Sequence, residues 1–167
     1  IEAIEELNRQ GFNISYDNVF NALKNTSFVG RLQKIKDNPT VIIDGAHNIS
    51  GAKSLREFIE ENFKNKNITL ITAMKKGKQA EEYYKEISKL FSKIIITKID
   101  NEYIIGEGSK EIESIIKEYN SNVEIELSHK EAYDKAINNS DIIIISGSLY
   151  LVSEFYNLLK EDLWKDL

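Results

Sequence analysis

Three side chains that can bind ligands or transfer protons occur together in one short segment, Asp44-Gly45-Ala46-His47-Asn48. A carboxylate can accept hydrogen bonds from sugar hydroxyls or position a metal ion, and an imidazole can hold an anion or exchange a proton near neutral pH. The segment follows a short run of β-branched residues at 40–43, which predicts a buried, central strand of a parallel sheet. Open α/β sheets bind ligands at the carboxyl ends of their strands. This segment is therefore the first candidate site.

Each of these side chains also has a structural interpretation. Asp44 taken alone is better explained as a cap of the following turn, and a single histidine in a loop is more often structural or exposed. His47 shares its turn with Asp44 and Asn48. The functional and the structural interpretations of His47 therefore both stay open.

Two further groups could reach the same edge of the sheet. Arg31 lies in a stretch where apolar and polar residues alternate, although most arginines on such a strand are solvated. Ser146-Gly147-Ser148 follows the last apolar run and precedes a helical pattern, where small residues and free backbone N–H groups can receive an anion. Many α/β loops have this composition without a ligand, so the signal is weak when taken singly.

Complete catalytic motifs are missing from the sequence. Gly77-Lys78 lacks the earlier glycine of a phosphate-binding loop and is followed by Gln79, and Gly106-Glu107-Gly108 does not match a dinucleotide-binding fingerprint. A G-x-S-x-G nucleophile motif is also missing. The chain carries part of a site and no complete catalytic apparatus.

The elements that would position these residues alternate regularly after residue 40. Strands are predicted at 40–43, 68–73, 93–97, 123–127 and 141–145. Helices are predicted after an N-cap at Ser50, at 81–91, from 107–109 to about 119, at 130–137 and at 150–159. Strands that alternate with helices favour right-handed crossovers and a parallel sheet covered on both faces.

The first part of the chain has a different pattern. An apolar helical stripe from Ile1 to Leu7 ends at Gly11, and a second short helix begins after Ser15 or Asp17. Residues 28–35 alternate apolar and polar side chains and join the next strand through a tight turn, so they are predicted to pair antiparallel at an edge. The predicted fold is a three-layer α/β Rossmann-like sandwich. Its mostly parallel sheet has about six strands, with one antiparallel edge strand and helices on both faces.

Composition excludes several classes of function. The 167 residues suit one domain, or one domain plus a short extension, and the net charge of −5 argues against a nucleic-acid surface. Without cysteine the chain has no disulfide framework, which fits a cytoplasmic protein, and two histidines without a ligand cluster do not predict a structural zinc site. No apolar run approaches the roughly 20 residues that span a bilayer. We expect a cytoplasmic monomer that binds neither membranes nor nucleic acids.

Because the chain begins as if within a helix and without Met, it is also expected to be a fragment of a longer protein.

Three blocks in a fixed order resemble one known family: Val29-Gly30-Arg31-Leu32, then Asp44 to Asn48, then Ser146-Gly147-Ser148-Leu149-Tyr150. They resemble the C-terminal domain of folylpolyglutamate synthase/dihydrofolate synthase, within the Mur ligase superfamily. The resemblance covers essentially the whole chain. Residues 1–27 are similar to the end of the central ATP-binding domain and its linker, and residues 28–167 to the C-terminal domain.

The resemblance implies an ATP-dependent ligase. In this family ATP phosphorylates a folate carboxylate, and the amine of an incoming glutamate attacks the acyl phosphate. Carried over by position, Arg31 would contact the phosphates of ATP and Asp44 its ribose. His47, as the catalytic candidate, and Ser148 would lie near the glutamate. The phosphate loop and the magnesium ligands would belong to the central domain, so this fragment alone is expected to be inactive.

The sequence also departs from the family pattern. Val29 and Ile49 stand where the family usually has proline, and Lys76-Gly77-Lys78 stands where it commonly has an acidic Asp-Lys-Asp turn. The reversed charge leaves the contacts of that loop and the preferred substrate open. Two other functions also stay open: a stand-alone nucleotide- or anion-binding module of similar fold, and a Mur ligase that acts on a cell-wall precursor.

Overall fold

Strands and helices alternate along the chain, as the sequence pattern predicts. The structure is a computed structural model that describes residues 1–26 and 28–163. The helices are α1 (Glu2–Arg9), α2 (Tyr16–Asn25), α3 (Ile49–Asn62), α4 (Ala80–Ile87), α5 (Ser109–Lys117), α6 (His129–Ile137) and α7 (Leu149–Leu163). The strands are β1 (Gln33–Asp37), β2 (Thr40–Asp44), β3 (Ile68–Thr72), β4 (Lys93–Ile96), β5 (Val123–Ile125) and β6 (Ile142–Ser146).

Within the described residues these strands form one six-stranded sheet in the order β1-β2-β6-β3-β4-β5. β1 runs antiparallel to β2, and the other neighbouring strands are parallel. The predicted fold class is therefore confirmed, including the antiparallel edge strand. β2 is interior and buried as predicted, but β6 and β3 occupy the middle of the sheet.

The sheet is covered on both faces, which explains why its strands are apolar without alternation. One face packs against α3, α4 and α5 through strand residues that include Ile42, Leu70, Ile94 and Ile144. The opposite face packs against α6 and α7 through residues that include Ile43, Ile71, Ile95 and Ile145. Helices α1 and α2 contain no buried residue. They therefore add little to the core of this domain.

Two predicted boundaries are wrong. The strand predicted at 28–35 begins only at Gln33, because Gly30 and Leu32 have φ values of 72° and 43°, which no extended strand tolerates. The predicted N-cap Ser50 does not cap α3. Asn48 does, because its Oδ1 accepts the N–H of Gly51, and the helix starts at Ile49.

Other predicted boundaries hold to within a few residues. Ser15, one of the two predicted caps, accepts the N–H of Asn18 at the start of α2. The helix predicted at 81–91 ends at Ile87 and continues as a 3₁₀ turn, Ser88–Leu90. The predicted domain boundary at Ser27 and the end of the second domain at 164–167 lie outside the described residues. Within the part that the structure describes, no helix is both long and apolar enough to cross a membrane.

Gly147 shows how tightly the end of β6 packs against β3. Its φ is 119°, and a Cβ at this position would lie 2.6 Å from Thr72 Oγ1 and 2.7 Å from the Ala73 carbonyl oxygen. Neither backbone nor a hydrogen-bonded buried hydroxyl can move away cheaply. Only glycine fits this position.

We expect Gly147→Ala to lower the free energy of unfolding by about 2–4 kcal/mol, because backbone strain and overpacking act together. Gly77→Ala is the matched control. Gly77 also has a positive φ of 81°, but nothing lies within 4 Å of its added Cβ, so strain alone should cost about 1–2 kcal/mol. Urea unfolding of both variants measures the difference. Equal losses would show that the packing at Gly147 is not tight.

Candidate functional site

The loops that follow β2 and β6 lie side by side at the carboxyl edge of the sheet. Asp44 and Ser146, the last residues of these strands, are paired in register. The Gly147 N–H donates to the Ala46 carbonyl at 3.0 Å, and the Gly45 N–H donates to the Gly30 carbonyl at 2.7 Å. The three blocks singled out in the sequence therefore meet at one edge.

Asp44 joins two of these blocks through its side chain. The carboxylate is buried, with Oδ1 accepting the N–H of Ala46 and Oδ2 the N–H of Leu32, both at 2.9 Å. The contact with Ala46 is the turn cap expected from the structural interpretation. The contact with Leu32, twelve residues earlier, is one that sequence reasoning missed. A carboxylate has about four acceptor positions, so two remain for the hydroxyls of a ligand.

Arg31 is exposed and lies across the start of the loop that follows β2. A Cβ on Gly45 would overlap Leu149 and lie 2.9 Å from Arg31 Nη1, so both flexible side chains would have to shift to admit a larger residue. Among the ion pairs of the described residues, none includes Arg31. Its guanidinium is therefore available for an anion.

Arg31 and Asp44 line one cleft of about 380 Å³. The cleft continues along His47, Asn48 and the first two turns of α3. Its volume lies within the roughly 300–1,000 Å³ of sites that hold ligands of drug or cofactor size. A cation and a carboxylate with free acceptor positions suit a ligand that carries both anionic and hydroxyl groups, as a nucleotide does.

His47 is half-buried and lies between this cleft and a second one. Its Nδ1 is 2.7 Å from the Gly45 carbonyl oxygen. Because a carbonyl only accepts hydrogen bonds, Nδ1 carries the proton, and in the neutral ring Nε2 is the acceptor. The same ring also lines the second cleft, of about 190 Å³, with Ser148.

Ser148 is buried, and its Oγ accepts the Tyr150 N–H at 3.2 Å. It caps the first turn of α7, while its hydroxyl proton stays free to donate. The structure thus brings Arg31, Asp44, His47 and Ser148 to one edge of the sheet. It divides them between two clefts, with Arg31 and Asp44 in the larger cleft, Ser148 in the smaller one and His47 in both. Their roles toward ATP and glutamate stay predictions.

Two buried hydroxyl pairs support the strand ends from below. Tyr83 of α4 hydrogen-bonds Ser146 Oγ at 2.9 Å, and the neighbouring Tyr84 hydrogen-bonds Thr72 Oγ1 at 3.0 Å. Burial raises the pKa of both tyrosines well above their usual value, so both stay neutral at physiological pH. The apolar spacing of α4 predicts that Tyr84 faces inward, but not which hydroxyl it meets.

Lysines 75 and 78, which the sequence pattern did not place among the site residues, also line the smaller cleft. The signal that could have found them is the reversed charge of the 76–78 turn.

The described part of the chain holds no group of three or more His, Cys, Asp or Glu that could bind a metal ion.

Comparisons with known proteins match this chain to one family and also find similarity to a synthetase outside that family. A family model of the dihydrofolate synthetase C-terminal domain matches residues 29–158. The dihydrofolate synthase/folylpolyglutamate synthase of Bacillus subtilis is 26% identical over 168 residues, which cover 96% of this chain and 37% of that protein. The UDP-N-acetylmuramyl-tripeptide synthetase of Ligilactobacillus salivarius is 28% identical over 127 residues, which cover 71% of this chain and 25% of that protein.

The fold is also that of a solved ligase structure. Mycobacterium tuberculosis folylpolyglutamate synthase, complexed with ADP and AMPPCP, matches with a TM-score of 0.78 at 19% identity, over 87% of this chain and 35% of that one. The chain thus spans little more than a third of the length of these Bacillus subtilis and Mycobacterium tuberculosis proteins.

We expect Asp44→Ala to lower the free energy of unfolding by about 2–4 kcal/mol, because it leaves two backbone N–H groups without their charged acceptor. Asp37→Ala is the control. Asp37 is exposed and pairs with Lys34, so its loss should change stability by less than about 0.5 kcal/mol. Urea unfolding compares the two variants. Similar values for both would mean that the carboxylate of Asp44 does not hold the strand edge together.

Proposed function

This chain belongs to the family of dihydrofolate synthetase C-terminal domains, and from that premise we propose that it is the C-terminal part of an ATP-dependent ligase that adds glutamate to folates. The observation that carries the proposal is the pair of adjoining clefts at the carboxyl edge of the sheet, with His47 lining both. One cleft suits a nucleotide and the other a small anion. The complex of the Mycobacterium tuberculosis enzyme with ADP and AMPPCP supports the nucleotide assignment.

In the proposed reaction ATP transfers its γ-phosphoryl group to a folate carboxylate and leaves as ADP. The glutamate nitrogen then attacks the acyl carbon and loses a proton, the C–N bond forms, and the C–O bond to phosphate breaks. Arg31 would stabilise charge on the phosphates, since its guanidinium is exposed at the nucleotide cleft. Asp44 would accept the ribose hydroxyls at the positions that the N–H groups of Leu32 and Ala46 leave free.

His47 and Ser148 would serve the incoming glutamate. The contact between His47 Nδ1 and the Gly45 carbonyl holds the ring in place and leaves Nε2 for the substrate. A neutral Nε2 can accept a proton from the glutamate amine, and a protonated one can hold a carboxylate. The Ser148 hydroxyl can donate to the same carboxylate, since its oxygen already accepts the Tyr150 N–H.

The remaining parts of the reaction would come from a central ATP-binding domain. We assign residues 1–26 to the end of that domain and its linker, and the described residues from 28 onward to the C-terminal domain. Support comes from the exposed apolar side chains of the first segment, among them Phe12, Tyr16, Phe20 and Leu23. Exposed apolar surface of this extent is typical of a contact with another unit. The phosphate loop and the magnesium ligands would lie in the central domain.

A ligase that acts on a cell-wall precursor is the second candidate. The similarity to the Ligilactobacillus salivarius synthetase supports it, but that match covers less of the chain than the match to the Bacillus subtilis protein. Folates and cell-wall precursors can be compared directly as substrates. A module that only binds its ligands, without catalysis, would release no ADP with either substrate.

The isolated chain should unfold in one cooperative transition and release no ADP from ATP, folate and glutamate, because it has no phosphate-binding loop. A longer protein that contains this chain should release ADP only when ATP, folate and glutamate are all present.

In that longer protein Arg31→Ala should lower kcat by about 10²-fold or more. Lys53→Ala, an exposed cation on α3 that lines neither cleft, should leave kcat unchanged. ADP release by the isolated chain, or equal kcat values for both variants, would contradict the proposal.

His47 is tested by two substitutions that separate binding from structure. His47→Asn can keep a donor for the Gly45 carbonyl but removes Nε2, whereas His47→Ala removes both. If Nε2 serves glutamate, both variants should raise the KM for glutamate and leave that for ATP nearly unchanged. If His47 only holds the turn, His47→Ala alone should lose about 1–3 kcal/mol of stability, and both KM values should rise together. Steady-state kinetics and melting curves decide between these outcomes.

A further inference from the structure

We propose that the smaller cleft selects an acidic amino acid by its second carboxylate, which Lys75 and Lys78 hold while the first lies at Ser148 and the start of α7. The inference rests on the proposed function, because it names how the incoming amino acid is recognised. It adds two specificity-determining residues to a site that otherwise consists of His47 and Ser148.

The polar groups that line this cleft suit an anionic ligand. Its walls are His47, Lys75, Lys78, Gly147, Ser148, Leu149 and Tyr150, and none of these carries a carboxylate. The first turn of the 15-residue helix α7 adds the partial positive charge of a helix N-terminus. Two ammonium groups and a helix terminus together provide more positive charge than one carboxylate carries. The cleft therefore fits a ligand with two.

Within the described part of the chain, the two lysines are not engaged in ion pairs. The ion pairs of these residues use other lysines, at positions 34, 93, 98, 117, 130 and 135. The chain as a whole carries a net charge of −5. Both cations face one small cleft of an acidic chain. An anionic ligand can therefore bind them without breaking an ion pair of the described residues.

The backbone that carries these lysines is held in place. Lys76 N–H donates to the Ile105 carbonyl at 2.9 Å, and Glu107 N–H donates to the Met74 carbonyl at 2.7 Å. Gly77, with φ 81°, turns the chain so that Lys75 and Lys78 line the cleft. The positions from which both side chains extend are thus set before a ligand binds.

The size and place of the cleft favour a small carboxylate over a nucleotide phosphate. At about 190 Å³ it is smaller than the roughly 300–1,000 Å³ of sites for larger ligands. The cleft with Arg31 and Asp44, proposed for ATP, lies on the other side of His47. An acidic amino acid between the two lysines and Ser148 would therefore adjoin the nucleotide cleft without sharing it.

Chemical-shift titration of the ¹⁵N-labelled chain with L-glutamate, L-glutamine and ATP tests the inference directly. Glutamine is the matched probe, because it replaces only the side-chain carboxylate by a neutral amide. We expect L-glutamate to shift the backbone amides of Ser148, Leu149 and residues 75–78, and glutamine to bind about 10-fold more weakly or worse. Added salt should weaken glutamate binding, because the lysines are exposed.

Substitutions in the same loop provide the control. The double variant K75A/K78A should bind glutamate about 10–50-fold more weakly and no longer prefer it to glutamine. Lys76→Ala removes the same charge from the same turn at a position that does not line the cleft, and it should stay within about 2-fold of the wild type. All three lysines are exposed, so their substitution by alanine should not unfold the protein.

The outcomes separate this inference from the proposed function. Any of three results would overturn the inference. These are the absence of a glutamate-dependent shift, equal affinities for glutamate and glutamine, and shifts of the amides of residues 75–78 by ATP instead of glutamate. A parent ligase whose KM for glutamate is the same in K75A/K78A as in Lys76→Ala would also overturn it, although the proposed function would then stand. Lysine-dependent glutamate binding by a parent protein that ligates nothing would support the inference and refute the proposed function.

Discussion

The geometry of the strand edge depends on one buried carboxylate. Asp44 accepts the N–H of Ala46 on its own loop and the N–H of Leu32 from a turn twelve residues earlier. Both are charge-assisted hydrogen bonds, and the N–H groups would otherwise be left without an acceptor. They hold a turn with two positive φ values, at Gly30 and Leu32, against the end of β2. The position of Arg31 follows from that turn.

The sheet below makes this edge rigid. Asp44, Ser146 and Thr72 occupy one row across three neighbouring strands, and α4 supplies a tyrosine hydroxyl to each of the last two. Both tyrosines are fully buried, and a buried hydroxyl without a partner is costly, so neither strand end can shift by a residue. The loops that carry the candidate residues therefore begin from defined positions.

Two clefts on either side of His47 suit a reaction between two substrates that must meet. The larger cleft is lined by the guanidinium of Arg31 and the carboxylate of Asp44, and the smaller cleft is lined by the ammonium groups of two lysines. The chain spans little more than a third of the length of its Bacillus subtilis and Mycobacterium tuberculosis relatives, and in the proposed ligase another unit would complete these clefts. In the proposed ligase, that other unit would supply the catalytic motifs that this sequence lacks.

The sequence by itself determined the order of the elements and the residues at the edge, because both depend on local signals. Apolar runs such as 142–145 predict buried strands, and polar residues after them belong at the carboxyl edge of a parallel sheet. Only the tertiary structure decided that β6 lies between β2 and β3, that residues 28–32 form a turn held by Asp44, and that Lys75 and Lys78 lie beside Ser148. These features arise from contacts between segments distant in the chain, and no local pattern encodes which segments will meet.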